Sequence, residues 1–140
     1  MLERALTLAH EMGLQRAESV ALAIRSRIAR EQGDLAHALE QSETAHELLS
    51  RQGAELPDRI VVGGTRALVL RTAGQLEEAE RLVTELRRRI RDDNSNIVNA
   101  ELRRAHRDAT TRLLDAVLSP EGVIYPRVDS APRAAGVEEA

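Results

Sequence analysis

Gln32-Gly33-Asp34-Leu35-Ala36-His37-Ala38 returns in loosened form as Ala73-Gly74-Gln75-Leu76-Glu77-Glu78-Ala79, with the two glycines 41 positions apart. In each copy a Gly follows a stretch of helical apolar spacing. An apolar residue stands two positions after it and an Ala five positions after it. Glycine adopts the left-handed backbone that closes a helix, and a small Ala lets the returning helix come close to its partner. Each copy therefore reads as the turn of a helical hairpin, and the fold class predicted from the pair is all-α.

Working outward, Leu35, Ala38, Leu39, Ser42, Ala45, Leu48 and Leu49 form the stripe of a helix that ends near Gly53, with Asp34 placed as its N-cap. Upstream, Val20, Ala21, Ile24, Ile28 and Ala29 predict a helix over residues 16–32. Before that, Leu2, Ala5, Leu6, Leu8, Ala9 and Met12 predict a first helix that Gly13 stops. Downstream, Pro57 suits the first turn of a helix over residues 58–73. Gly63-Gly64 interrupts it at about 1 kcal/mol per glycine relative to Ala, which implies a close backbone contact, a kink or a break. Leu76, Ala79, Leu82, Val83, Leu86 and Ile90 share one face of a helix over residues 76–91, which Asp92-Asp93-Asn94-Ser95 ends. A last helix over residues 96–118 carries Ile97, Val98, Leu102, Ala105, Ala109, Leu113, Ala116 and Val117. About six helices result. The domain spans residues 1–118, and residues 119–140 read as a flexible tail in which Val123-Ile124-Tyr125 is the one apolar island.

The apolar residues are almost all Leu, Ala, Val and Ile, with no Phe or Trp and one Tyr, a composition that suits close-packed helices better than a sandwich or barrel. The absence of Cys excludes disulfides and thiolate metal sites and fits a reducing compartment. All 20 basic residues are Arg, the bias of a GC-rich genome, and the net charge of −3 shows no general attraction to nucleic acid or anionic membrane. No run of apolar residues reaches the length of a membrane span, and the N-terminus has no signal pattern. The expected location is cytoplasmic.

With Leu22, Gly33, Asp34, Leu35, Ala38 and Ala45 in one unit and Ala67, Leu70, Gly74, Leu76 and Ala79 in the next, the sequence resembles the tetratricopeptide repeat family. The resemblance is to the long-period type of bacterial signalling ATPases and transcriptional regulators, and it covers residues 2–91. It implies a right-handed helical-hairpin solenoid and a non-catalytic module that binds a protein or peptide, as a scaffold or as the sensing segment of a regulator. Two alternatives stand beside it: a small-molecule- or peptide-sensing domain of a transcriptional regulator, and a self-associating module that homodimerises through its terminal helices. The first predicted helix reads as the second helix of a preceding repeat, so the chain is expected to be a fragment of a longer protein or to be covered there by a second copy.

In the family the first helix of each repeat lines a concave surface. Carried over by aligning Gly33 with Gly74, this places Arg27 and Arg30, then Leu68 and Arg71, on that surface as the candidate partner-binding residues. Arginine binds carboxylates bidentately, so an acidic segment is the expected ligand. Arg87, Arg88, Arg89 and Arg91, with Arg103, Arg104 and Arg107, form a second basic cluster. Interleaved acids and the lack of aromatics make it a solvated face, and nucleic acid is not expected. Glu43-x-x-His46 has the ligand spacing of di-iron helices but lacks the second such pair. None of Ser19, Ser26, Ser42 and Ser50 sits in a nucleophile elbow. No catalytic residue, metal ligand or cofactor is therefore assigned, and an enzyme is not expected.

Overall fold

The computed structural model describes residues 2–51 and 53–121. Among them are five helices and no strand: α1 Leu2–Glu31, α2 Leu35–Ser50, α3 Leu56–Thr72, α4 Leu76–Ser95 and α5 Ala100–Leu118. The segment Val123-Ile124-Tyr125 and the tail from residue 122 lie outside the described residues.

The two hairpin turns are built identically. Gly33 and Gly74 have φ of 82° and 84°, the left-handed region. Gly33 N donates to Arg30 O and Asp34 N to Ala29 O; Gly74 N donates to Arg71 O and Gln75 N to Leu70 O. This double bond pattern satisfies carbonyls that a helix end would otherwise leave open. Asp34 caps α2 as expected, accepting from His37 N at 3.3 Å, and its other carboxylate oxygen lies 2.6 Å from His37 Nδ1. That hydrogen bond, with the charge of Asp34, raises the His37 pKa, and the bonds from His37 lower that of Asp34. A raised histidine contributes stability below its ordinary 6.5 and loses it as pH climbs through the folded value. A lowered carboxyl contributes above its ordinary 3.8 and loses it as pH falls through the folded value. The cap is thus tightest between those two pH values. We expect NMR titration to place the His37 midpoint above 6.5 and Asp34→Asn to remove the rise; a midpoint at or below 6.5 in the native protein would contradict this cap.

Three sequence expectations need correction. Gly13 does not stop a helix. It lies inside α1, so the first two expected helices are one and five replace six. Gly13 is followed by Leu14-Gln15-Arg16-Ala17, good helix formers with no Ser, Thr, Asp or Asn to cap a new start, so continuing costs less than turning. Asp92-Asp93-Asn94-Ser95 does not end α4, which runs through Ser95 and buries Asn94. The break falls after it, and Asn99 rather than Asn96 starts α5, its side chain accepting from Glu101 N and Leu102 N. Val98 and Leu102, expected on the packed face, are 95% and 64% exposed.

α3 is the hub. Every residue from Ile60 to Leu70 except Arg66 is buried, a pattern of a helix surrounded on all sides. It touches each of the other four helices, α1 pairs with α2, α4 pairs with α3 and α5, and α2 has no Cα within 8 Å of α4 among the described residues. Of the readings open for Gly63-Gly64, the close backbone contact is the one realised, since α3 continues through both. A Cβ on Gly63 would lie 3.3 Å from the Leu86 methyls of α4, and one on Gly64 2.6 Å from Val117 Cγ1 of α5. Between α1 and α2 the contact is equally close: Ser19 and Ser26 are fully buried, and Ser19 Oγ donates to Ala45 O at 2.6 Å. Only the second half of α1 takes part. All side chains described between Glu3 and Glu18 are exposed, including Leu6, Leu8, Met12 and Leu14.

Candidate binding groove

Because α2 and α4 flank α3 without meeting, a groove opens between them with α3 as its floor. Its wider part, about 490 Å³, is lined by Glu43, His46 and Glu47 of α2, Arg66 of α3, and Glu78, Arg81 and Leu82 of α4. A narrower part of about 170 Å³ continues past His46 and Leu82 over Gly63, toward Arg59 and Arg89.

Arg66 is the one charged residue in the buried run from Ile60 to Leu70, and its side chain is only 11% exposed. Its Nη1 donates to Leu39 O and Ser42 Oγ, both at 3.1 Å. Its Nη2 lies 3.6 Å from Glu43 and 3.8 Å from Glu78. The guanidinium thus ties α2 to α3 and holds one carboxylate from each wall. Burial, followed by the charges of Arg66 and Arg59, lowers the His46 pKa, so its imidazole is neutral at physiological pH. No hydrogen bond joins His46 to a hydroxyl or carboxylate among the described residues, and Glu43, His46 and Glu47 belong to no cluster of three groups able to hold a metal there. The lip of the wider part carries three carboxylates against two guanidiniums, and with Arg66 holding Glu43 and Glu78, Glu47 is the carboxylate that is in no ion pair among the described residues. Such a lip attracts a cationic side chain.

The candidates from the sequence lie elsewhere and do not share an open surface. Arg27 and Leu68 are buried at 7% and 2% exposure. Arg27 donates from Nη1 to Val117 O at 2.8 Å and from Nη2 to Ser119 O at 2.7 Å, at the C-terminal end of α5. Desolvation, then the charge of Arg30, lowers its pKa, yet an arginine so held stays charged. Arg30 and Arg71 remain at the rim. Arg30 Nε donates to Thr72 Oγ1 at 2.6 Å, and Arg71 pairs with Glu80 at 2.8 Å. In the second basic cluster, Arg88 bonds Glu85 and Asp92, Arg89 pairs with Glu85, and Arg87 lies 3.8 Å from Asp115. The sequence reading passed over Arg66, although a lone Arg among ten apolar or small residues was a signal for a buried, bonded guanidinium.

No helix among the described residues is long and apolar enough to cross a membrane. The chain belongs, by its described part, to the all-α proteins. It matches no family model, no curated protein and no solved structure.

Proposed function

We propose that the chain is a non-catalytic protein-binding module of tetratricopeptide-like helical hairpins, acting in the cytoplasm as a scaffold or sensing segment of a bacterial regulator. The paired turns at Gly33 and Gly74 support the repeat reading. So does the contact pattern, in which α1, α3 and α5 neighbour in series while α2 and α4 stay apart, as in a stack of hairpins. The observation that carries the binding reading is the groove between α2 and α4, with Arg66 as floor and Glu43, Glu47 and Glu78 exposed above it. Its ligand is a protein segment presenting a basic side chain to those carboxylates. An acidic segment at Arg30 and Arg71 is the competing site; there Arg30 bonds Thr72 and Arg71 pairs with Glu80, whereas Glu47 of the groove is in no ion pair among the described residues.

The test is capture from native lysate with three baits: the natural chain, a Glu43, Glu47, Glu78→Gln variant and an Arg30, Arg71→Glu variant. The expected result is a protein held by the first and third baits and reduced at least about tenfold on the second, the loss of roughly 1.4 kcal/mol or more of charge pairing. A protein lost only from the arginine variant would move the site to that edge. Capture equal on all three would overturn both.

A further inference from the structure

Helix α1 packs one side on α2 and α3 and carries an apolar stripe on the opposite side. The covered side carries Ser19, Ala23 and Ser26. On the other, Leu14, Ala21 and Ile28 recur every seven residues, with Ala17 and Ile24 three residues after the first two, the a and d positions of a coiled-coil seam. Ser19 and Ser26 are then f positions, directly opposite, so the a edge of the seam points away from the body of the protein, while its d edge borders the half-buried Val20 and the buried Arg27 at g. Leu14 is 57% and Ile28 49% exposed, Ala17 and Ala21 are exposed, and Ile24 is half-buried.

The repeat frame says what such a face does. Counting 41 positions on, Ala21 and Ile28 correspond to Val62 and Val69 of α3. Val62 packs with Ala23, Ala45 and Leu49, and Val69 with Ala29 and Ala38, residues of the α1–α2 hairpin. Arg25 corresponds to Arg66, whose guanidinium reaches a carboxylate of the neighbouring helix, Glu43 at 3.6 Å. The open side of α1 is the equivalent of the side by which α3 buries itself against a helix pair.

We infer that this face is an isologous interface, and that its occupant is α1 of a second copy of the chain, packed antiparallel about Ala21. In that register Ala21 meets Ala21 of the second copy, two small side chains that let the backbones approach. Leu14 packs on Ile28 at both ends, and Ala17 lies beside Ile24. In an antiparallel pair the e positions face one another, so Glu18 meets Arg25 of the second copy, twice. Both are exposed, and neither is in an ion pair among the described residues. A parallel pair would set them against Gly13 and Val20 and gain no opposite charge. The charge pattern selects the antiparallel self-pair, and a twofold axis closes it.

This interface is separate from the groove between α2 and α4, so its failure leaves the groove untouched. Sedimentation equilibrium of the full chain across a concentration series tests it, with circular dichroism to show that each surface variant stays folded. The natural chain is expected to pass from one to two times 15.4 kDa as concentration rises. Ala21→Glu is expected to remain a monomer throughout. Glu18→Arg and Arg25→Glu, alone, are each expected to weaken the dimer at least about tenfold, and the double exchange E18R with R25E is expected to restore it. A natural chain that is monomeric at every concentration would overturn the inference. So would a dimer indifferent to Ala21→Glu, or single exchanges that the double exchange does not rescue.

Discussion

Replacing Arg27 by Met is expected to lower the unfolding free energy by about 2–3 kcal/mol, read from the midpoint of urea denaturation. Arg27 is anchored at both guanidinium ends, to Val117 O and Ser119 O. These carbonyls close α5, where the helix dipole concentrates negative charge and no intrahelical donor remains for the last groups. Met keeps the aliphatic stem and removes only the charged donors. The loss is therefore that of charge-assisted bonds at a buried helix end, with the carbonyls left unsatisfied. The comparison is Arg30→Met, whose side chain bonds only Thr72 at the rim and whose change is expected within about 0.5 kcal/mol. Equal effects at 27 and 30 would mean that Arg27 does not hold α5 to the body.

Gly64→Ala is expected to destabilise by about 1–2 kcal/mol, and Gly63→Ala by much less or not at all. Both gain up to about 1 kcal/mol of helix propensity. At Gly63 the added methyl meets only the terminal methyls of Leu86 at 3.3 Å, the far end of a flexible side chain that can shift by a few tenths of an ångström. At Gly64 it would stand 2.6 Å from Cγ1 and 3.2 Å from Cβ of Val117. A β-branched side chain in a helix has one favoured rotamer, so α5 as a whole must retreat, an overpacking cost of about 1–3 kcal/mol. Thermal melting of the two variants side by side checks this. A Gly64→Ala protein as stable as Gly63→Ala would show that α3 and α5 are not in this contact.

The hairpins were legible because their information is local. A Gly in the left-handed region, an apolar residue two positions on and a small residue five on define the turn, whatever packs around it. Gly13 misled for the same reason in reverse: a glycine permits a turn, but Leu14 to Ala17 supply no cap to start a new helix. Asn96 and Asn99 are both plausible starts in sequence, and only the bonds to Glu101 N and Leu102 N distinguish them. Arg27 and Leu68, expected on an open surface, are both buried. What the local pattern could not reveal was where the last helix packs: α5 comes alongside α3, and its C-terminal end takes the bonds of Arg27. The groove was illegible because its walls come from α2 and α4, which the chain separates by all of α3.

Hydrogen exchange on the intact chain tests the central arrangement, in which α3 is the hub of the five described helices and the described side chains of the first part of α1 are exposed. Amides from Ile60 to Leu70 are expected to be the slowest in the protein, exchanging only on global unfolding. Those of residues 3–12 are expected to exchange fast, since every described side chain there is exposed and a helix without packing is marginal at that length. Equal protection of the two segments would contradict the account, because the chain would then have to turn at Gly13 and fold its first helix back onto the body.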